Sequence, residues 1–233
     1  MTLRLRSSET EEMDAPDLDP AVYARCLNDL ASVNRTTSAH SATLTWLRRE
    51  TAHLPPGSVI SVLDIAYGQG DLLRAIARFA ADAGFEAELT GIDLNPRSAA
   101  VAGAVSSPGV SITYLTGDVF WFAPPGQFDF IVTSQFTHHL TDETVVRLLT
   151  WMEAHASKGW YIADLHRHWF PYYGFRWLAR LAGWHEIVRR DGTVSIARGF
   201  KSAEWRSLLA KAGVAGDVRW HWLFRHGVSR DKG

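Results

Sequence analysis

VLDIAYGQGD, running from Val62 to Asp71, is the stretch whose reading decides the fold. An aliphatic run carrying Asp64 meets a glycine-rich turn and passes directly into a pattern with Leu72, Leu73, Ile76 and Phe79 at spacings near three and four. The order is strand, loop, helix. Unbroken aliphatic runs are what parallel strands covered on both faces look like. Gly68 and Gly70 let backbone approach a ligand where a Cβ would collide, so a nucleotide-like cofactor is the first expectation.

What the loop lacks narrows the cofactor. The dinucleotide fingerprint G-x-G-x-x-G rests a pyrophosphate on a helix N-terminus, whereas this loop reads Asp64-x-Ala66-x-Gly68-x-Gly70. Its acidic first position suits an ammonium group. A second strand over 87–93 ends in Asp93, 23 residues beyond Gly70, near the spacing at which an acid meets a ribose in nucleotide-binding folds. Asn95-Pro96 then opens a helix, Pro being suited to a first helical turn. A third run, 110–115, leads to Gly117-Asp118-Val119, and a fourth, FDFIVTS over 128–134, continues into Gln135-Phe-Thr-His-His-Leu140. Each acid alone is an ordinary turn or capping residue; three at three successive strand ends make a pattern.

On these motifs the chain resembles the class I S-adenosylmethionine-dependent methyltransferases over residues from about 59 to 165. Their first motif is an acid followed by G-x-G-x-G, and Ala66 stands where the first of those glycines belongs. The resemblance implies S-adenosyl-L-methionine as cofactor. It places Asp64, Ala66, Gly68 and Gly70 in the cofactor loop, Asp93 on the ribose hydroxyls with Leu94 beside it, and Asp118 near the adenine amine. The Val119 amide falls near a ring nitrogen, and Ser134 and Gln135 beside the methionine part. The implied fold is α/β and Rossmann-like: a mostly parallel twisted sheet with helices on both faces, N-terminal helices and a helical lid. Asn34-Arg35, Asp164-Leu-His-Arg167 and the run RRDGTVS over 189–195 are also similar to bacterial methyltransferases associated with type III polyketide synthases, although Ser38-Ala39 replaces their Gly-Gly pair. That finer likeness implies phenolic or pyrone lipids as acceptors, with Arg35, His40 and Arg198 contacting acceptor or carboxylate.

Bulk properties set limits. The 233 residues suffice for one α/β domain with additions: a flexible acidic lead-in over 1–20 and a single domain over 21–233, with a helical cap at 21–54 and a lid insertion at 166–200. Lys plus Arg total 24 against 25 for Asp plus Glu, and no basic block occurs, so nucleic acid is not expected as a partner. One cysteine, Cys26, excludes an internal disulfide and fits a reducing compartment. No apolar stretch reaches spanning length and no signal core follows the N-terminus; a cytoplasmic monomer or homodimer without membrane contact is expected.

Helical spacing covers 21–32, 40–53, 70–83, 142–156 and 202–212, with a fifth strand at 160–165, a terminal strand at 218–224 and an unsettled short one at 227–229. Acceptor choice falls to segments outside this core. The lid opens with DLHRHWFPYYGFRW, and its His168, Trp169, Tyr172 and Tyr173, with Phe170, Phe175 and Trp177, predict a flat aromatic acceptor. His139, followed by His138 and His166, is the expected base for deprotonating a phenol. Adjacent His-His and alternating His-x-His do not match the i, i+4 ligand spacing of a helix, and no cysteines cluster, so no metal is expected. A cofactor-binding module without chemistry and a nicotinamide oxidoreductase remain open alternatives.

Overall fold

The computed structural model describes residues 3–106 and 109–233. Seven strands form one sheet: β1 (Val59–Ile65), β2 (Glu86–Asp93), β3 (Ile112–Thr116), β4 (Phe128–Ser134), β5 (Ala156–Leu165), β6 (Asp217–His221) and β7 (Arg225–Asp231). Their order is β3-β2-β1-β4-β5-β7-β6. The first five are parallel, and β7 runs antiparallel to both β5 and β6. The expected Rossmann-like α/β sheet is therefore present, with an antiparallel hairpin at one edge.

Alternation along the central strands explains why both faces are covered. Ile60, Val62, Phe130, Val132, Tyr161 and Ala163 point to one side, where α2 (Ser41–Glu50) and α3 (Asp71–Ala83) bring Trp46, Leu47, Leu73 and Ile76. Leu63, Ile65, Ile131, Trp160 and Ile162 point to the other, against Val145, Leu149 and Met152 of α5 (Asp142–His155) and Trp205 and Leu209 of α8 (Ser202–Ala212). A one-residue slip in any strand would exchange these two sets.

Two boundaries depart from the sequence reading. The fifth strand begins at Ala156, directly after α5, because Ala156 pairs with Phe128 of β4 before a bulge in the β4–β5 ladder. The apolar run 218–224 is split: β6 ends at His221, the chain turns with Leu223 and Phe224 at φ 64° and 57°, and β7 returns. The segment expected as a lid, 166–200, holds two packed helices, α6 (Trp169–Leu181) and α7 (Glu186–Arg198). Together with α1 (Pro20–Thr36), they bury Cys26, Val33, Ala179, Trp184 and Val188 in a third apolar cluster.

Composition alone predicts a flexible N-terminal segment; its contacts are those of a docked strap. Arg6 donates to the carbonyls of Arg198, His138 and Leu140 and pairs with Asp142 at 2.8 Å. The amides of Glu12 and Met13 donate to the Asp191 carboxylate, and Met13 and Leu18 pack on the third cluster. Hydrogen bonds to distant backbone compensate for the strap's lack of its own core, an interaction that composition does not register.

Candidate cofactor and acceptor site

Parallel register brings the ends of β1, β2 and β3 to one rim. Asp64 pairs across from Gly91, Asp93 from Thr116, and the chain stitches the rim with Ala66 N–H to Ile92 O at 2.8 Å and Gly117 N–H to Asp93 O at 2.9 Å. Asp64, Asp93 and Asp118 thus stand at successive positions of a single edge. Asp93 accepts from the Gly68 amide at 2.9 Å and the Asn95 amide at 2.8 Å; Asp118 accepts from the Phe120 amide at 2.9 Å. Leu94 is exposed at the rim, and Val119 is buried beneath it.

The loop has the backbone of a ligand cradle. Ala66, Gly68 and Gly70 all have left-handed φ, 59°, 54° and 73°. At Gly70 a Cβ would also meet the Tyr114 ring at 2.6–3.0 Å, so sterics as well as φ reserve that position for glycine. Gly70 caps α3, whose amides open toward the loop. Asp64 is 1% exposed; burial pushes its carboxyl well above the ordinary range, and neighbouring Asp71 and Asp93 add to the push. A cationic group placed there would favour the ionised carboxylate and offset these effects. Beside it on β4, the buried Ser134 hydroxyl has no hydrogen-bond partner among the described residues. A buried carboxyl, an orphaned hydroxyl and a turn opened by Gly68 and Gly70 are what an ammonium-bearing nucleoside would complete.

The N-terminal helices close over this edge. Asn34 on α1 donates to Asp71 at 2.9 Å and accepts from Gln135, itself at φ 54°, at 2.5 Å. His40 meets the same Asp71 oxygen at 2.9 Å. Asn28 bonds Gln69, whose carbonyl accepts from Arg74 at 2.6 Å. Asp71 and Asn34 are the network residues whose roles the sequence left unassigned; the available signal was an acid at the first turn of the helix that follows a glycine loop.

The histidines fall into two groups. His138 is 2% exposed, its Nδ1 2.7 Å from Asp164, and the Asp164 carboxylate also accepts from the His138 and Leu165 amides and the Thr137 hydroxyl. Burial opposes charge on His138, but Asp164 and then Glu11 outweigh it and push its pKa up to about 9; His138 and those bonds hold Asp164 down at about 2 against its own burial. His139 contacts Asp14 at 3.0 Å through Nδ1. The strap covers both rings, so the geometry does not favour either as a base open to an acceptor. His166 belongs to the second group. Its ring lies 4.6 Å from His226 and 5.6 Å from His168, which stacks on Phe224 at 4.9 Å. Phe170 stacks on the same Phe224 at 5.4 Å, with Trp220 edge-on at 5.8 Å.

Other acceptor candidates separate. Trp169 and Tyr173 are largely exposed and Tyr172 half-buried on α6; Arg35 is exposed on α1, next after Asn34. Arg198 donates to the carbonyls of His138, His139 and Glu9, a fastening for the strap, so its expected contact with an acceptor carboxylate is corrected. Two concavities lie away from the rim, one beside Thr37 and Trp222 of about 170 Å³ and one between α2 and α3 of about 600 Å³. Neither touches the acids, and the chemistry of the rim outweighs their size.

Residues 62–159 match the family described as methyltransferase domain. Among solved structures, the plantazolicin methyltransferase BpumL in complex with SAH has 15% sequence identity, a TM-score of 0.64 and coverage of 90% of each chain. The magnesium protoporphyrin IX methyltransferase ChlM from Synechocystis PCC 6803 with bound SAH has 17% identity and a TM-score of 0.56, covering 85% of this chain and 84% of its own. At such identity the likenesses establish the fold. No curated protein matches the sequence. The class that the fold and the match over residues 62–159 define is that of the methyltransferase domains. The solved neighbours of this fold named above hold SAH. No helix among the described residues is long and apolar enough to cross a membrane.

Proposed function

We propose that the enzyme transfers a methyl group to an oxygen of a small aromatic acceptor, phenolic or polyketide-like. The observation that carries this reading is the aromatic wall of His166, His168, Phe170 and Phe224 beyond the end of β5. Flat rings present large stacking areas, and imidazoles among them offer hydrogen bonds to a hydroxyl. The sequence likeness to methyltransferases associated with type III polyketide synthases supports a phenol or pyrone in particular.

In this proposal, bound S-adenosylmethionine supplies an electrophilic methyl on sulfur. Asp64 faces its ammonium, Ala66, Gly68 and Gly70 admit it closely, Asp93 holds the ribose with Leu94 alongside, and Asp118 and the Val119 amide read the adenine. Ser134 and Gln135 border the methionine end, while Asn34 and His40 hold Asp71 and close the site. Alignment of acceptor oxygen, methyl and sulfur is the main service, worth up to about 7–11 kcal/mol in well-oriented systems. His166 takes the acceptor proton as the oxygen–methyl bond forms and the methyl–sulfur bond breaks. Its pKa is lowered by burial, then by His168, Lys201 and Arg167, so the ring is neutral at pH 7 and able to accept. His168, Trp169, Tyr172 and Tyr173 border the acceptor, with Arg35 at the outer mouth.

A mass scan of small phenols, quinols and pyrones incubated with enzyme and S-adenosylmethionine tests the reading. A product heavier by one methyl and resistant to phenol-specific reagents supports O-methylation; methylation on ring carbon of quinols alone would replace it. Tight calorimetric binding of the cofactor without any methylated product would favour a binding module.

A further inference from the structure

Outside the proposed acceptor wall, Glu11 of the strap and the His138–His139 pair after β4 place three ligand-type atoms within 4.8 Å of one another. Nε2 of His138 lies 3.5 Å from Glu11 Oε1, and Nε2 of His139 lies 3.6 Å from the same oxygen. These separations are long for hydrogen bonds. They are close to the roughly 3.3 Å edge of a tetrahedron whose ligands sit about 2.0–2.1 Å from zinc. Among the described residues, buried His138 Nε2 has no hydrogen bond of ordinary length; it faces only the Glu11 carboxylate, whose Oε1 also accepts from the Ser195 hydroxyl at 2.8 Å, and a buried nitrogen left so calls for an explanation such as an ion. The other nitrogen of each ring is already committed: His138 Nδ1 to Asp164 at 2.7 Å and His139 Nδ1 to Asp14 at 3.0 Å.

A carboxylate on Nδ1 with Nε2 turned inward is the outer-shell arrangement that fixes the tautomer of metal-bound histidine. Here it occurs twice, on rings that converge on a third carboxylate. We propose that Glu11, His138 and His139 form a binding site for a divalent transition-metal ion, zinc by ligand chemistry, that pins the N-terminal strap to the end of β4. Two imidazoles and one carboxylate suit zinc over magnesium or calcium, which take oxygen ligands. The ion replaces the Nε2 proton of His138 and keeps a positive charge between Glu11 and Asp164. Three protein ligands leave a fourth position to solvent. Sequence spacing gives no sign of this site because its carboxylate comes from over a hundred residues away, in a segment whose composition reads as unstructured.

The test uses the full chain, stripped with chelator and titrated with zinc chloride alone, with cobalt(II) as a spectroscopic probe. One equivalent of zinc retained through gel filtration, and visible d–d absorption of tetrahedral intensity from cobalt, are expected. His139→Ala and Glu11→Gln, both at less buried positions than His138, are each expected to lower zinc affinity at least tenfold with an unchanged circular dichroism spectrum. Asp14→Asn, which leaves every ligand in place, is expected to cost about 10–100-fold. Failure of the wild-type chain to retain zinc, or affinity unaltered in both ligand variants, overturns the site. Because the readout is metal content, neither result depends on methyl transfer.

Discussion

The Gly68 amide donates to Asp93 Oδ2 at 2.9 Å, so the glycine loop and the acid at the end of β2 are already joined before any ligand arrives. The Asn95 amide holds Oδ1 at 2.8 Å, and the two bonds fix the carboxylate plane. Burial raises the Asp93 pKa, while these same bonds pull it down. A preoriented acceptor pair avoids part of the ordering cost of binding two ribose hydroxyls.

Replacing Asp93 with Ala is therefore expected to weaken S-adenosylmethionine binding by about 10–100-fold, the value of one or two hydrogen bonds to a charged group. Calorimetric titration reads this directly. Affinity equal to that of the wild type would remove Asp93 from the cofactor site.

Ala66 has φ 59° where a glycine would be unstrained. The left-handed conformation costs an L-residue roughly 1–2 kcal/mol, and restoring glycine returns about 0.4–1 kcal/mol through the freer unfolded chain. Ala66→Gly is expected to stabilise the protein by about 0.5–1 kcal/mol in urea unfolding, with cofactor affinity retained. Destabilisation would mean that the Ala66 methyl is packed more productively than its strained backbone suggests.

Asp64 carries the opposite trade. Its folded-state pKa is raised, so between the ordinary carboxyl pKa and that raised value the folded protein binds more protons than the unfolded one. Stability attributable to Asp64 is full below that window and declines as pH rises through it. Asp64→Asn removes the decline, and the ligand-free variant is expected to melt higher than wild type at pH 7 while binding S-adenosylmethionine more weakly. Thermal scans from pH 4 to 8, with and without cofactor, measure both. A variant that melts lower without ligand would show that the carboxylate is compensated in the free protein.

How far the sequence revealed this arrangement depended on the range of the interaction. The rim was legible because each acid sits at a strand end that local pattern identifies, and parallel order then brings Asp64, Asp93 and Asp118 together. The α3 and α8 boundaries were legible for a similar reason: Gly70 and Gly213 mark them locally. Contacts made by chain segments far apart were not. Nothing near Glu11 signals its meeting with His138, and nothing in the 218–224 run announces that Leu223 and Phe224 adopt left-handed φ and split it into a hairpin. His138 and His139 read as bases because they follow β4; the strap that covers them lies at the other end of the sequence. Phe224 and His226 escaped notice altogether, since only the antiparallel return of β7 beside β5 sets them against His166.

His166 gives the last prediction. A general base on the acceptor must be neutral, and its pKa lies below 6.5 because burial and the cations around it disfavour its charged form. The rate with a phenolic acceptor should rise with pH through that lowered value and level off near neutrality. His166→Ala is expected to keep cofactor affinity and lose about 10²–10⁴ in kcat/KM. The residual activity of the variant should follow the acceptor's own ionisation, climbing toward pH about 10 for an unactivated phenol, whereas a merely structural defect would lower the rate without moving the profile. His168→Ala separates the two aspects further: its ring stacks on Phe224, so KM for the acceptor should rise more than kcat falls. A His166→Ala enzyme with an unmoved pH profile and full turnover would assign proton removal to solvent or to another group.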